Sequence, residues 1–253
     1  MIGDAAGIEL LHQVQWLQTF KGYVVDAIEP VAFVLLALML FGLVSCRTRA
    51  PYHWLITALV LLALLRVNQV LFYWTDILSL RWYDALTTVL LRPLVLAAWT
   101  LAWRDWFRIS KRPWLHYVIG VLTVVYIVFA LLGRPWFVPD VPQGLKVAAD
   151  SVVGGIRLAL AALYLWITGL GVIRSAKPLS YPGALAAILV GIGLFATELN
   201  ALGVPGIWFP YGTGVARGQY AYAGFIALLF VLILMRMRTT SSSLPHPSSC
   251  QPH

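Results

Sequence analysis

The sequence predicts an all-α integral membrane protein, a seven-transmembrane-helix bundle with its N-terminus outside and its C-terminus in the cytoplasm. Three observations carry that prediction. The first is composition. Of 253 residues, 60% are hydrophobic and 11% charged, and the mean hydropathy is +0.82. Soluble domains carry about 25% charged residues. So little charge cannot cover a water-facing surface, so the lipid bilayer is the first expected partner. Water-soluble enzymes, nucleic-acid binders and disulfide-rich secreted domains are excluded. The second is the number of continuous apolar runs, seven, each near the length of about 20 residues that spans a hydrocarbon core as helix. Runs such as WLITALVLLALL do not alternate, which excludes the strands of a membrane barrel.

The third is the distribution of basic residues. Arg47, Arg49, Arg104, Arg108, Lys111, Arg112, Arg174, Lys177, Arg236 and Arg238 fall in one alternate set of connections. Lys21, Arg81, Arg134, Lys146 and Arg217 fall in the other. The richer set belongs in the cytoplasm, which requires an odd number of spans. The net charge of +8 and pI near 9.7 therefore read as membrane topology, not as affinity for nucleic acid.

Taken in order, residues 1–29 predict an outer interfacial amphipathic helix. Leu10, Val14, Leu17, Lys21, Val24 and Ile28 share one of its faces. Residues 30–238 hold the membrane domain, with spans at 30–46, 53–75, 83–103, 114–132, 146–173, 182–201 and 216–236. Trp54, Trp74, Trp82, Trp103, Trp106, Trp114 and Trp136 fall at span ends, where they are expected as interface anchors. Gly154-Gly155, with Ala159, Ala161 and Ala162, predicts close helix packing in the fifth span. The segment 203–214, GVPGIWFPYGTG, reads as an outer turn or a lid. Residues 239–253 are Ser/Pro-rich and predict a disordered cytoplasmic tail.

Ionisable and amide groups at membrane depth are costly and mark candidate sites. Here they are Arg66, Asn68 and Gln69 in the second span, Asp84 and Arg92 in the third, and Asp150 and Arg157 in the fifth. Glu198 and Asn200 close the sixth span beside Thr197, and Tyr220 opens the seventh with Gln219 and Tyr222. Under the predicted orientation all of them fall in the outer halves or near the midplane, and the inner halves are almost wholly Leu, Val, Ala and Ile. A polar pocket open to the outside, over an apolar plug, is the expectation. Its arginines suit a carboxylate or another anion. Asp84, Asp150 and Glu198 match Arg66, Arg92 and Arg157 in number, so an ion-pair network that joins helices is the competing reading. Pro93 follows Arg92 directly and predicts a kink or hinge.

Other chemistry is missing from the sequence. There is no HExxH, no mid-span lysine for retinal, no pair of intramembrane histidines for haem, no GxGD or GxSG protease motif and no phosphate loop. Cys46 and Cys250 are expected as free thiols. No enzyme activity, cofactor or metal is expected.

Two stretches carry a resemblance. VLLRPLVLAAWTLAWRDWF at 89–107 has a mid-span Arg-Pro and a Trp-rich end. YGTGVARGQYAYAGFIALLFVLILMRMR at 211–238 has a Gly-rich turn leading into a last span with a basic end. Together they resemble the seven-transmembrane sensory module of bacterial signalling proteins, as in the membrane part of stage II sporulation protein E-type serine phosphatases. The resemblance covers roughly residues 30–238. It implies a sensor of the bacterial inner membrane whose last helix relays the binding of an external ligand. It also implies an output domain after that helix. Only 15 polar residues follow it here, so no phosphatase activity is carried over, and a cytoplasmic output protein or a second copy is the expected partner. The competing expectations are a small-solute transporter or channel, which needs polar residues through to the cytoplasmic side, and a structural subunit of a larger complex.

Overall fold

The computed structural model describes residues 5–47, 52–109, 113–174, 180–203 and 217–241. These are helical, and no strand occurs among them. The order is α1 (Ala5–Arg47), α2 (His53–Trp74), α3 (Leu80–Asp84), a π-helical turn (Ala85–Leu91), α4 (Arg92–Trp106), α5 (Trp114–Leu132), α6 (Gln143–Arg174), α7 (Ser180–Leu194), α8 (Ala196–Ala201) and α9 (Arg217–Ser241). Five stretches are long and apolar enough to cross a membrane: Val24–Gly42, His53–Trp74, Leu80–Trp106, Trp114–Leu132 and Gln143–Ile173. The last two predicted spans correspond to shorter apolar helices, Tyr181–Leu194 and Gln219–Met235. The segment 204–216, most of the predicted lid, and the tail beyond 241 lie outside the described residues.

The N-terminal segment corrects one boundary. Where the sequence suggests a break at 29–30, helix α1 runs on for 43 residues with Pro30 inside it. Proline removes one helical hydrogen bond. The loss is offset here because Pro30 itself is buried and Phe33, Leu36, Ala37 and Leu40 pack into the core just after it. At 1.5 Å per residue α1 is about 65 Å long, roughly twice the hydrocarbon thickness. Its first turns stand clear of the bundle, with Leu10, Leu11, Trp16, Leu17 and Phe20 exposed.

Helix α4 is the centre of the bundle. Twelve of its 15 residues are buried, among them Trp99 and Trp103 at 0% exposure. Helices α2, α5, α6 and α7 pack around it. Trp99 stacks on Trp103 at 5.8 Å and meets the Phe225 ring of α9 edge-on at 5.2 Å. Trp103 and Trp106 are therefore core residues and not interface anchors. Trp74, Trp82, Trp114 and Trp136 remain exposed, as anchors require. Burial of the hydroxyls of Thr100, Thr123 and Thr168 is offset within their own helices, because each donates to the carbonyl four residues back at 2.7–2.9 Å.

Close packing uses other glycines than the sequence suggests. Gly154 and Gly155 are exposed, and a Cβ on either would meet nothing within 4 Å. Two of the tight approaches are at Gly171, where a Cβ would lie 2.4 Å from the Phe107 ring, and at Gly183, 2.5 Å from Nε1 of Trp106. Both seat an aromatic side chain from the end of the α4 segment.

Candidate functional site

Proline at 93 shapes the site locally. Its ring clashes with the carbonyl four residues back, that of Val89, and it has no N–H to donate. The seven residues Ala85–Leu91 take the wider π-turn, and the Arg92 N–H reaches back to the Thr87 carbonyl. The expected kink is therefore a π-segment, a feature that often accompanies functional sites in helices. It is pinned from α2: buried Asn68 donates from Nδ2 to Oγ1 of Thr87 at 2.7 Å.

Arg92 leaves this turn facing a cavity of about 100 Å3. The walls are Leu65, Arg66 and Gln69 of α2, Arg92, Val95 and Leu96 of α4, Arg157 of α6, Gly193 and Leu194 of α7, Ala196 and Thr197 of α8, and Tyr222 of α9. Three guanidinium groups thus meet one space, in three different electrostatic settings. Arg66 Nε lies 3.1 Å from Oε2 of Glu29, its Nη1 donates to Gln69 Oε1 at 2.9 Å, and its guanidinium carbon sits 4.8 Å over the Tyr222 ring. Arg157 grips Glu198 with two contacts, Nε to Oε1 at 2.6 Å and Nη2 to Oε2 at 3.0 Å. Arg92 makes no ion pair or hydrogen bond among the described residues. Along α4 the cavity gives way to apolar core: Val95, Leu96 and Trp99 are buried, and Phe225 of α9 meets the Trp99 ring.

Of the residues singled out from sequence, Arg66, Gln69, Arg92, Arg157, Thr197 and Tyr222 line this cavity. Glu198 reaches it through Arg157, and Asn68 supports it through Thr87. The others sit elsewhere. Asp84 pairs with Arg134 at 3.2 Å and accepts from Thr88 at 2.9 Å. Asp150 is exposed near Gly133 and forms no ion pair among the described residues. Asn200 and Tyr220 are exposed, and Tyr222, two residues on, takes the lining position.

Sequence reasoning missed two acids. Glu29 is 4% exposed and pairs with Arg66, and Asp26, one turn earlier, accepts from Gln219 of α9 at 2.7 Å. Both precede Pro30, in the stretch read as interfacial. A second polar cluster lies about 18 Å along α4 from Arg92. Buried Arg104 bonds the His116 ring, and Asp105 lies 3.9 Å from His53 Nε2. Among the described residues no group of three metal-ligating side chains occurs. No protein-family model, curated protein or solved structure matches the chain.

Proposed function

We propose that the chain is a sensory module of a bacterial inner membrane, seven-spanning, with its N-terminus outside. It binds a small external anion in the cavity and relays that binding through α9. The observation that supports this reading most is the place of Tyr222. It lines the cavity, holds the Arg66 guanidinium against its ring, and belongs to the helix that continues to Ser241. An anion drawn into the cavity changes the charge that faces Arg66 and so the contact on which Tyr222 packs. A coupling of about 1–3 kcal/mol between cavity and helix end is sufficient for signalling. The likeness to the membrane part of stage II sporulation protein E-type phosphatases agrees with such a relay and rests on the two sequence stretches alone.

The buried apolar layer from Val95 to Trp99 disfavours a continuous path and hence a transporter. The test is distance measurement between spin labels at Val60 on α2 and Leu234 on α9, both exposed, in a C46S/C250S background in nanodiscs. A panel of small organic and inorganic anions should shift the distance distribution. An unchanged distribution with anion bound overturns the relay. Uptake of tracer anion into proteoliposomes assigns transport instead.

A further inference from the structure

The anion reading can be narrowed by counting charge, and this step rests on that reading: we infer that the cavity takes a small monocarboxylate, its carboxylate on Arg92 and its carbon body against Val95, Leu96 and Leu194. Of the three guanidinium groups, two are already neutralised, Arg66 by Glu29 at 3.1 Å and Arg157 by both oxygens of Glu198. Of the three, Arg92 alone lacks a paired acid among the described residues, so the three arginines together with the two acids paired to them carry one net positive charge. A monoanion closes that balance. A dianion leaves one negative charge in a poorly hydrated space, which is costly. Asp26, which like Glu29 and Glu198 lies outside the lining, accepts from Gln219 instead of pairing with an arginine, and its charge near Arg66 opposes a second negative charge further.

The remaining chemistry selects an organic acid. A guanidinium fork accepts both oxygens of a carboxylate, whereas a halide uses one direction of it. Leu65, Val95, Leu96, Leu194 and Ala196 give apolar wall, and about 100 Å3 holds a body of a few carbons. The Gln69 amide and Thr197 hydroxyl are the polar groups on the rim available for orientation.

The experiment is calorimetric titration of the full chain in nanodiscs, at constant ionic strength, with sodium propionate, malonate and chloride. Wild type, R92Q and E198Q are compared. Propionate should bind, with malonate and chloride weaker by about tenfold or more, and R92Q should lose propionate affinity by a similar factor. E198Q frees Arg157 and adds a positive charge, so its preference should move from propionate towards malonate. Tighter malonate than propionate in the wild type overturns the monocarboxylate and leaves an anion site standing, and so does tighter chloride. Unchanged propionate affinity in R92Q overturns the role of Arg92. No heat from any of the three anions overturns both this inference and the anion reading. Where a variant does not fold, the wild-type ratio of propionate to malonate decides.

Discussion

The ring of Tyr222 occupies the space that a side chain at Gly193 would need: a Cβ at 193 would lie 2.2 Å from Cζ and 2.6 Å from the hydroxyl oxygen of Tyr222. Helix α7 therefore admits α9 only because position 193 is glycine. The same absence of a side chain lets Tyr222 turn its face to Arg66, 4.8 Å away, while the Phe33 ring braces it edge-on at 5.8 Å. One missing methyl group thus sets the wall of the cavity.

Replacing Gly193 by alanine should force the Tyr222 ring off this position. Overpacking of this kind costs about 1–3 kcal/mol. The expected result is a lower melting temperature and weaker propionate binding. Pairing G193A with Y222L, which removes the clashing atoms, should recover the melting temperature and leave binding weak. If G193A melts and binds like the wild type, the close approach has no part in shaping the site.

Pro93 separates fold from function more cleanly. In P93A the residue regains its N–H, the Val89 carbonyl regains a donor, and the π-segment can relax to α-helix. Because the π-turn fixes the direction of Arg92, relaxation should reorient that side chain. Stability should hold or rise, and propionate affinity should fall by about tenfold, the scale of one lost charge-assisted contact. Thermal melts and titration on the same sample test both halves. Full affinity in P93A would show that the π-segment does not aim Arg92.

Arg157 and Glu198 form a mostly buried pair, with side chains 14% and 12% exposed. Removing one partner of such a pair leaves an uncompensated charge and costs about 3 kcal/mol or more. E198A should therefore lower the melting temperature strongly, whereas R157M/E198L should restore most of it. A double-mutant cycle gives the coupling directly. A near-zero coupling would mean that solvent already screens the pair.

At the end of α4, Arg108 has φ of 54°, the left-handed region that favours glycine. Its N–H bonds the Asp105 carbonyl and the Ile109 N–H bonds the Arg104 carbonyl, both at 3.0 Å, which is the Schellman closure of a helix. A non-glycine residue there costs about 1 kcal/mol. R108G should raise the melting temperature by a small amount. A drop would show that the Arg108 side chain contributes more than its backbone costs.

Residue types and spacing were enough for an all-helical architecture with helices long and apolar enough to cross a membrane, because a chain this apolar has few other options. They were also enough to single out Arg66, Arg92 and Arg157, since a guanidinium inside an apolar run stands out without any coordinates. Pairing was a different matter. Three acids and three arginines match in number, yet Asp84 turns to Arg134 and Asp150 to the surface, while Arg66 takes Glu29. Partner choice depends on which helices touch, and α1, α2 and α9 meet only in the folded bundle. Glu29 was hidden because Pro30 reads as a boundary, and a proline becomes an interior residue only when packing on both sides outweighs one lost hydrogen bond. The roles of Trp103, Trp106, Gly171, Gly183 and Gly193 were hidden for the same reason. An aromatic ring near a span end suits an interface as well as a core, and a glycine suits many positions until a neighbouring ring requires its space. Composition and periodicity are properties of one helix, but burial, ion pairing and the lack of an acid partner for Arg92 among the described residues are properties of several helices together, so only the tertiary structure decided them.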